Sequence, residues 1–358
     1  MARSSTLPRR KGDVVPFARL LLAAAIVFAC SGAPAPSPTV NAVPSPSASV
    51  APPGSPASPV GGVGANACAP SGAAASARHA GWPGAPDFRN PTDFIPTLVS
   101  SELAVGENRF LLTLIDGQNE SIASVDVEVE LRFFELSTDP AQPAVTVPAT
   151  FLAVDEGTGL YRAGVEFTCS GEWGVEVVAR QAGVPDRTAR VVFPVRAESS
   201  TPAVGELAPP SDTPTADDGA SIAMISTDDD PDPDFYRTSI DDAIGTSEPF
   251  VVVFATPAFC QTRTCAPALD HVKAAADDYK DSLTFIHVEP YELEERDGQL
   301  QPVLVDGQLD PVPAVDEWGL LTEPYTFVVG GDGRVQAKFE GIAAEDELHA
   351  AFESAAEG

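Results

Sequence analysis

The chain has 358 residues, which is enough for two ordinary domains with additional segments at their ends. Its 52 acidic and 21 basic residues give a formal net charge of −31 at pH 7, which argues against nucleic-acid binding, because a phosphate backbone binds Lys and Arg side chains. The 35 prolines and 28 glycines are clustered, which predicts linkers between the folded parts.

The amino-terminal residues resemble an export signal. Four basic residues stand within the first 11, and the apolar run over residues 20–29 is too short to span a bilayer as a helix. The run ends in Ala29-Cys30-Ser31, which resembles a bacterial lipobox. That resemblance implies a signal peptide over 1–29, a lipid on Cys30 and an extracytoplasmic protein anchored to the bacterial cell membrane. Ordinary secretion without a lipid is the alternative.

Two further segments have the composition of linkers. Residues 30–86 are rich in Pro, Ser and Ala, and this composition predicts an extended tether. Residues 198–234 are rich in Pro and Asp, which predicts an acidic spacer that does not pack. The acidic run lacks the Gly and Glu spacing of an EF-hand loop, so we expect a solvated spacer rather than a calcium site.

Residues 87–197 have the pattern of a β domain. Several short runs of β-branched or alternating residues are separated by turn residues, which predicts an immunoglobulin-like antiparallel β-sandwich with Trp173 in its core. The alternation from Val125 to Leu131 predicts valines facing inward and acids facing outward. The stretch Glu102–Phe110 resembles the start of YtkA-like immunoglobulin-type domains of exported bacterial proteins. That resemblance implies a binding or spacer role.

Residues 235–358 contain the pattern with specific chemistry. A continuous apolar run, Phe250–Phe254, predicts a strand buried on both faces, and Cys260 and Cys265 follow it before a predicted helix. A second strand, a loop with two Asp-Gly hairpin turns, a strand led by Pro324, a hairpin and a closing helix complete the order. This order resembles the α/β thioredoxin superfamily, which implies a cis peptide at Pro324 facing the cysteine pair and a role in thiol–disulfide exchange.

The cysteine pair also departs from the thioredoxin pattern. Thioredoxins place two residues between their cysteines, whereas four separate Cys260 from Cys265. A helix amino terminus lowers a thiol pKa, so we predict Cys265 as the attacking thiol and Cys260 as its resolving partner. Arg263 is a candidate to stabilise a thiolate, and Glu323 would oppose it if it faces the sulfurs. The family's buried acid on the preceding strand is missing.

The remaining cysteines fit an exported protein. With Cys30 assigned to the lipid and Cys260 paired with Cys265, Cys68 and Cys169 remain, and we predict a disulfide between them. Other connectivities stay open on the sequence alone.

Two functions of different classes follow. The first is an extracytoplasmic thiol–disulfide oxidoreductase acting on exported proteins or with a membrane redox partner. The second is a non-catalytic surface lipoprotein that binds a partner, with a purely structural Cys260–Cys265 disulfide. A Sco-like copper chaperone is less well supported, because the loop before Pro324 contains no His. We predict no cofactor and no metal, and the sequence leaves the oligomeric state open.

Overall fold

The computed structural model describes residues 67–68, 79, 81–82, 94–155, 158–216, 219, 221–260 and 263–358. The predicted signal peptide, Cys30 and most of the predicted tether lie outside these residues. None of the helices within the described ranges is long and apolar enough to cross a membrane. Residues Pro59–Gly358 form one compact unit.

The first part of this unit is an all-antiparallel β domain. Its strands are β1 (Ile95–Leu98), β2 (Gly106–Ile115), β3 (Val127–Glu135), β4 (Val145–Asp155), β5 (Thr158–Phe167), β6 (Gly171–Gln181) and β7 (Val184–Val195). They pair in the order β1-β2-β5-β4-β3-β6-β7. The first half of β4 pairs with β3 and its second half with β5, so this strand passes from one sheet to the other.

The two sheets enclose an apolar core, and the predicted immunoglobulin-like β-sandwich is confirmed. Leu131, Phe133 and Trp173 are fully buried in that core. The predicted alternation holds from Val127 onward, but Val125 is 75% exposed. Val125 precedes β3 in a turn, where the inward and outward alternation of a strand does not apply.

A disulfide ties the segment before the sandwich to the sandwich. Cys68 is bonded to Cys169, which confirms the predicted pairing, and 101 positions separate the two residues. The backbone N–H of Cys68 also donates a hydrogen bond of 2.8 Å to the carbonyl of Ser170. The crosslink therefore closes a long loop, which restricts the unfolded chain more than it restricts the folded one.

The second part is built around a four-stranded sheet. Its principal elements are β8 (Phe250–Phe254), α3 (Cys265–Ala276), β9 (Thr284–Val288), β14 (Tyr325–Val329), β15 (Val335–Glu340) and α5 (Glu345–Glu357). The strand order is β15-β14-β8-β9, in which β8 and β9 are parallel and β14 is antiparallel to both β8 and β15. Among the described residues, two short α-helices precede this series, and four short strands and a third short α-helix lie between β9 and β14. These are α1 (Ile222–Ile225), α2 (Ile240–Thr246), β10 (Leu293–Arg296), β11 (Gln299–Pro302), β12 (Leu304–Val305), β13 (Gln308–Leu309) and α4 (Pro313–Glu317).

The central strand β8 is buried on both faces, as the apolar run predicted. Val251 and Val253 pack in one apolar cluster with α3 and α5, whereas Phe250 and Phe254 pack in a second cluster with Trp318. The two Asp-Gly sites form the turns of the β10–β11 and β12–β13 hairpins, as predicted, with positive φ at Asp and at Gly. The helix predicted after the two cysteines begins at Cys265 itself.

The described residues of 198–234, defined here as the connecting segment, contact the second part, so the expectation of a solvated spacer does not hold for them. Asp228 and Asp232 accept ion pairs of 2.8 and 2.7 Å from Lys273 and Lys280. Thr213 is buried, and its hydroxyl oxygen accepts a hydrogen bond of 3.1 Å from the N–H of Ile240. Lys273 in α3 and Lys280 beyond its end therefore neutralise the charges of two acids that the composition suggested were solvated.

The sandwich and the second part are joined by a polar and an apolar contact. Arg109 of β2 donates two hydrogen bonds of 2.7 Å to the Glu347 carboxylate of α5. It also donates to the carbonyls of Glu340 and Ile342, at 3.0 and 2.8 Å. Beside this arginine lies an apolar cluster that combines two sandwich residues with two from the second part. The cluster contains Leu152, Leu160, Ala268 and Ile342.

Candidate functional site

The turn between β8 and α3 places the two remaining cysteines. The carbonyl of Thr256 accepts hydrogen bonds from the N–H groups of Phe259 and Cys260, at 3.3 and 3.1 Å, which fixes the first part of the turn. Cys260 is half-buried, and Cys265, the first residue of α3, is fully buried. Arg263 between them is exposed and has a positive φ of 60°.

The structure brings the two cysteine sulfurs and one carboxylate together. Cys260 Sγ, Cys265 Sγ and a carboxylate oxygen of Glu323 all lie within 4.8 Å of one another. Both cysteines are thiols in this structure, whereas the sequence analysis treated them as a disulfide pair.

The environment of Cys265 argues against the role predicted for it. Its pKa is raised well above the usual range of a thiol, first because the thiol is hydrogen-bonded with Cys260 and second because it is buried. The negative charge of Glu323 acts in the same direction, and only the backbone of Thr256 opposes it. The hydrogen bond with Cys260 and burial therefore act against the low pKa expected at a helix amino terminus, and Cys260 is the more accessible of the two sulfurs.

Glu323 faces the sulfurs, as the sequence analysis considered. The hydroxyl of Tyr291 donates a hydrogen bond of 2.8 Å to Glu323 Oε2 and fixes the carboxylate. Burial raises the pKa of Glu323, and the charge of Cys260 adds to that rise. The Glu323–Pro324 peptide is cis, as expected, and Pro324 is buried immediately before β14.

A buried polar network lies at the carboxyl end of β8 and β9. His287 donates from Nε2 to the carbonyl of Ala255 at 2.9 Å and accepts at Nδ1 from the Tyr236 hydroxyl at 2.8 Å. Burial lowers the pKa of His287 to about 4, so the ring is neutral at pH 7. With both ring nitrogens occupied by hydrogen bonds, His287 is a packed structural residue.

The same region holds a carboxyl group that the sequence analysis missed. Glu289 directly follows β9 and is only 5% exposed. Its Oε1 accepts from the N–H of Thr227 at 2.6 Å and from the Thr227 hydroxyl, while Oε2 makes no hydrogen bond within the described part of the chain. Burial raises the pKa of Glu289 to about 7. An acid directly after a buried strand and before Pro290 is the one signal in the sequence that pointed to it.

Thr227 also links the connecting segment to the turn between β8 and α3, called here the cysteine turn. Its hydroxyl oxygen accepts a hydrogen bond of 3.2 Å from the N–H of Ala258. Next to this contact is an open cavity of about 480 Å³, lined by residues of the connecting segment and by Phe259, the neighbour of Cys260. The cysteine turn therefore borders a groove partly formed by the segment that the sequence analysis took for a spacer.

Two groups of side chains in the described residues have three potential metal ligands in reach of one another. One contains Cys68, Glu135 and Cys169, whose sulfurs are consumed by a disulfide. The other is the group of two thiols and Glu323 described above. Only this second group offers thiol sulfurs to an ion.

No protein-family model matches this sequence, and no curated protein matches it. Among solved structures, the soluble domain of PmoD from Methylocystis sp. ATCC 49242 (Rockwell) is 18% identical over 28% of this chain and 90% of that chain, with a TM-score of 0.20. The Lin-41 filamin domain is 13% identical over 30% and 98% of the two chains, with a TM-score of 0.19. A redesigned β-sandwich protein is 13% identical over 30% and 96%, also with a TM-score of 0.19. TM-scores this low carry no argument about function.

Proposed function

We propose that this protein is an extracytoplasmic, membrane-anchored thiol–disulfide oxidoreductase with a thioredoxin-like second part. The order of β8, two cysteines, α3, β9, a proline-led β14, β15 and α5 supports the fold proposal, since it is the order on which the resemblance was based. The lipid on Cys30 and a YtkA-like identity for the sandwich belong to the same proposal.

The observation that carries this proposal is the asymmetry of the two thiols. Cys260 is half-buried and directly follows Phe259, which lines the groove, whereas Cys265 is fully buried. The two sulfurs and a carboxylate oxygen of Glu323 lie within 4.8 Å of one another. Thiol–disulfide exchange needs one sulfur that is accessible to the substrate and a second, less accessible sulfur that resolves the mixed disulfide. The burial of the two residues matches that division of roles, with Cys260 as the attacking thiol.

The reaction conserves atoms and electrons in two steps. The Cys260 thiolate attacks one sulfur of a substrate disulfide, forms a mixed disulfide and releases the other substrate sulfur, which takes a proton from solvent. The Cys265 thiol then loses its proton and attacks Cys260 Sγ, which releases the second substrate thiol. The substrate disulfide is reduced to two thiols and the protein dithiol is oxidised to the Cys260–Cys265 disulfide. The reverse sequence oxidises a substrate dithiol.

A non-catalytic partner-binding lipoprotein is the competing proposal, and Glu323 favours it. The charges of Glu323 and Cys260 repel each other when both groups are ionised, which disfavours the Cys260 thiolate that the exchange reaction needs. On this alternative the two cysteines form a structural disulfide after export.

The reduction potential of the Cys260–Cys265 pair separates the two proposals. We would equilibrate the full chain carrying Cys30→Ser in glutathione buffers, alkylate the thiols, and assign each cysteine by mass spectrometry so that Cys68 and Cys169 are followed separately. A potential between about −120 and −270 mV supports exchange, and one below about −300 mV supports a structural disulfide. In an exchange protein, Cys265→Ser also accumulates the mixed disulfide of Cys260 with a substrate, whereas Cys260→Ser does not.

A further inference from the structure

We propose that the reduced site binds one Zn²⁺ ion through Cys260 Sγ, Cys265 Sγ and a carboxylate oxygen of Glu323. This inference goes beyond the proposed function and does not depend on it, because metal binding needs only the two thiols and the carboxylate. It concerns the same three side chains and gives Glu323 a role that thiol exchange leaves unexplained.

The spacing of the three donor atoms fits a tetrahedral ion. All of them lie within 4.8 Å of one another. A zinc ion with Zn–S bonds of about 2.3 Å and a Zn–O bond of about 2.0–2.2 Å holds its ligand atoms about 3.5–3.8 Å apart. A contraction of at most about 1.3 Å therefore brings the donors into coordination distance. Side-chain rotation of the half-buried Cys260 and Glu323 can supply a movement of this size without rebuilding the buried start of α3.

The chemistry of the donors selects the ion. Two thiolates exclude Mg²⁺ and Ca²⁺, which take oxygen ligands. Cu⁺ prefers sulfur alone and gains nothing from a carboxylate, whereas Zn²⁺ binds both thiolate sulfur and carboxylate oxygen. Three protein ligands leave a fourth position for water, and the partial exposure of Cys260 and Glu323 leaves a path for the ion to enter.

The position of Glu323 is unfavourable for a thiolate and favourable for a cation. A carboxylate facing two sulfurs repels negative charge on them, and Arg263 on the same turn points its exposed side chain to solvent. An ion with two positive charges placed between the three groups turns that repulsion into attraction. The Tyr291 hydroxyl already holds Glu323 Oε2 at 2.8 Å, which orients the carboxylate as an outer-shell partner orients a ligand.

Zinc binding and disulfide formation exclude each other, since both use the same two sulfurs. The site then has two closed states, a zinc thiolate and a disulfide, and a shift toward reducing conditions makes the first available. Zinc would also protect the thiols from oxidation, because the sulfur lone pairs are held by the metal.

The test is a zinc titration of the full chain carrying Cys30→Ser, with the Cys260–Cys265 pair reduced and the Cys68–Cys169 disulfide intact. Competition with a colorimetric chelator gives the affinity, and we expect one ion per chain, with none bound after the pair is oxidised. Zinc X-ray absorption should show two sulfurs at about 2.3 Å and light-atom ligands at about 2.0–2.2 Å.

Variants that keep both cysteines isolate the carboxylate. We expect Tyr291→Phe to weaken zinc binding about 10- to 100-fold, as loss of an outer-shell partner does, and Glu323→Gln to weaken it by at least about as much. Glu295→Gln, an exposed acid on β10, should leave the affinity unchanged. Circular dichroism of each variant checks that it is folded.

Three results would overturn the inference. These are no zinc bound by the reduced chain, equal affinity in Glu323→Gln, or a strong preference for Cu⁺ with only sulfur ligands. The reduction potential of the same samples separates this inference from the proposed function. If the reduced chain binds zinc and the potential lies below about −300 mV, the zinc site is supported and thiol–disulfide exchange is excluded. If the potential lies in the exchange range and no zinc binds, exchange is supported and the zinc site is excluded.

Discussion

Glu289→Gln tests whether the buried carboxyl after β9 makes the stability of this protein depend on pH. The pKa of this group is about 7 in the folded chain, against an ordinary value of 4.5. That difference corresponds to about 3 kcal/mol of unfolding free energy. Below pH 4.5 the carboxyl is protonated in both states and the difference has no effect.

The penalty develops as the pH rises. Between pH 4.5 and 7 the unfolded chain releases the proton while the folded chain retains it, so rising pH favours unfolding across this window. Above pH 7 the full penalty of about 3 kcal/mol applies. A glutamine keeps an oxygen for the two Thr227 donors.

Urea unfolding followed by tryptophan fluorescence measures this effect, because Trp318 is buried in the second part of the molecule. We expect Glu289→Gln and the wild type to be equally stable at pH 4.5, and the variant to be more stable by about 3 kcal/mol at pH 8. Glu292→Gln, an exposed neighbour, is the matched control. The reasoning is refuted if the wild type and Glu289→Gln lose stability in parallel between the two pH values.

Three other predictions follow from the geometry. Iodoacetamide should modify Cys260 much faster than Cys265 in the reduced native chain, as followed by peptide mass spectrometry, and equal rates would contradict the burial of Cys265. Arg109→Ala should lower the free energy of unfolding by about 3 kcal/mol, because it leaves a mostly buried carboxylate of α5 with fewer partners; a change within the error of the denaturation midpoint would refute this. Replacing both Cys68 and Cys169 by Ser should lower the free energy of unfolding by about 2–5 kcal/mol. Adding reductant to this double variant should lower the free energy of unfolding no further through this pair.

Local patterns in the sequence predicted much of the fold. The run Phe250–Phe254 could only be a strand between two apolar layers, and the Asp-Gly pairs at Asp297 and Asp306 have the backbone preference that a two-residue hairpin requires. The pairing of Cys68 with Cys169 was predicted with other connectivities still open, and the structure confirms it. Each of these features depends on residues close in sequence or on the small number of cysteines.

The features that sequence reasoning missed depend on contacts between distant residues. Composition marked the connecting segment as a spacer, because the lysine that neutralises Asp228, Lys273, lies 45 positions further along the chain. The helix rule assigned a low pKa to Cys265, but burial and the hydrogen bond with Cys260 dominate there. Glu289 carried no motif, since its importance comes from the strands that cover it.

The contact around Arg109 has a consequence for anyone who would transplant the second part of this protein as a module. Ala268 lies one turn of α3 beyond Cys265, and it packs against Leu152 and Leu160 of the sandwich rather than against solvent. A fragment that begins at residue 235 would therefore expose to water an apolar patch on the helix that carries a cysteine of the site. It would also leave Glu347 without its two arginine partners, Arg109 and Arg162. Thiol reactivity measured on such a fragment would be that of α3 without its contacts to the sandwich. The sandwich is therefore better regarded as part of the scaffold of the site.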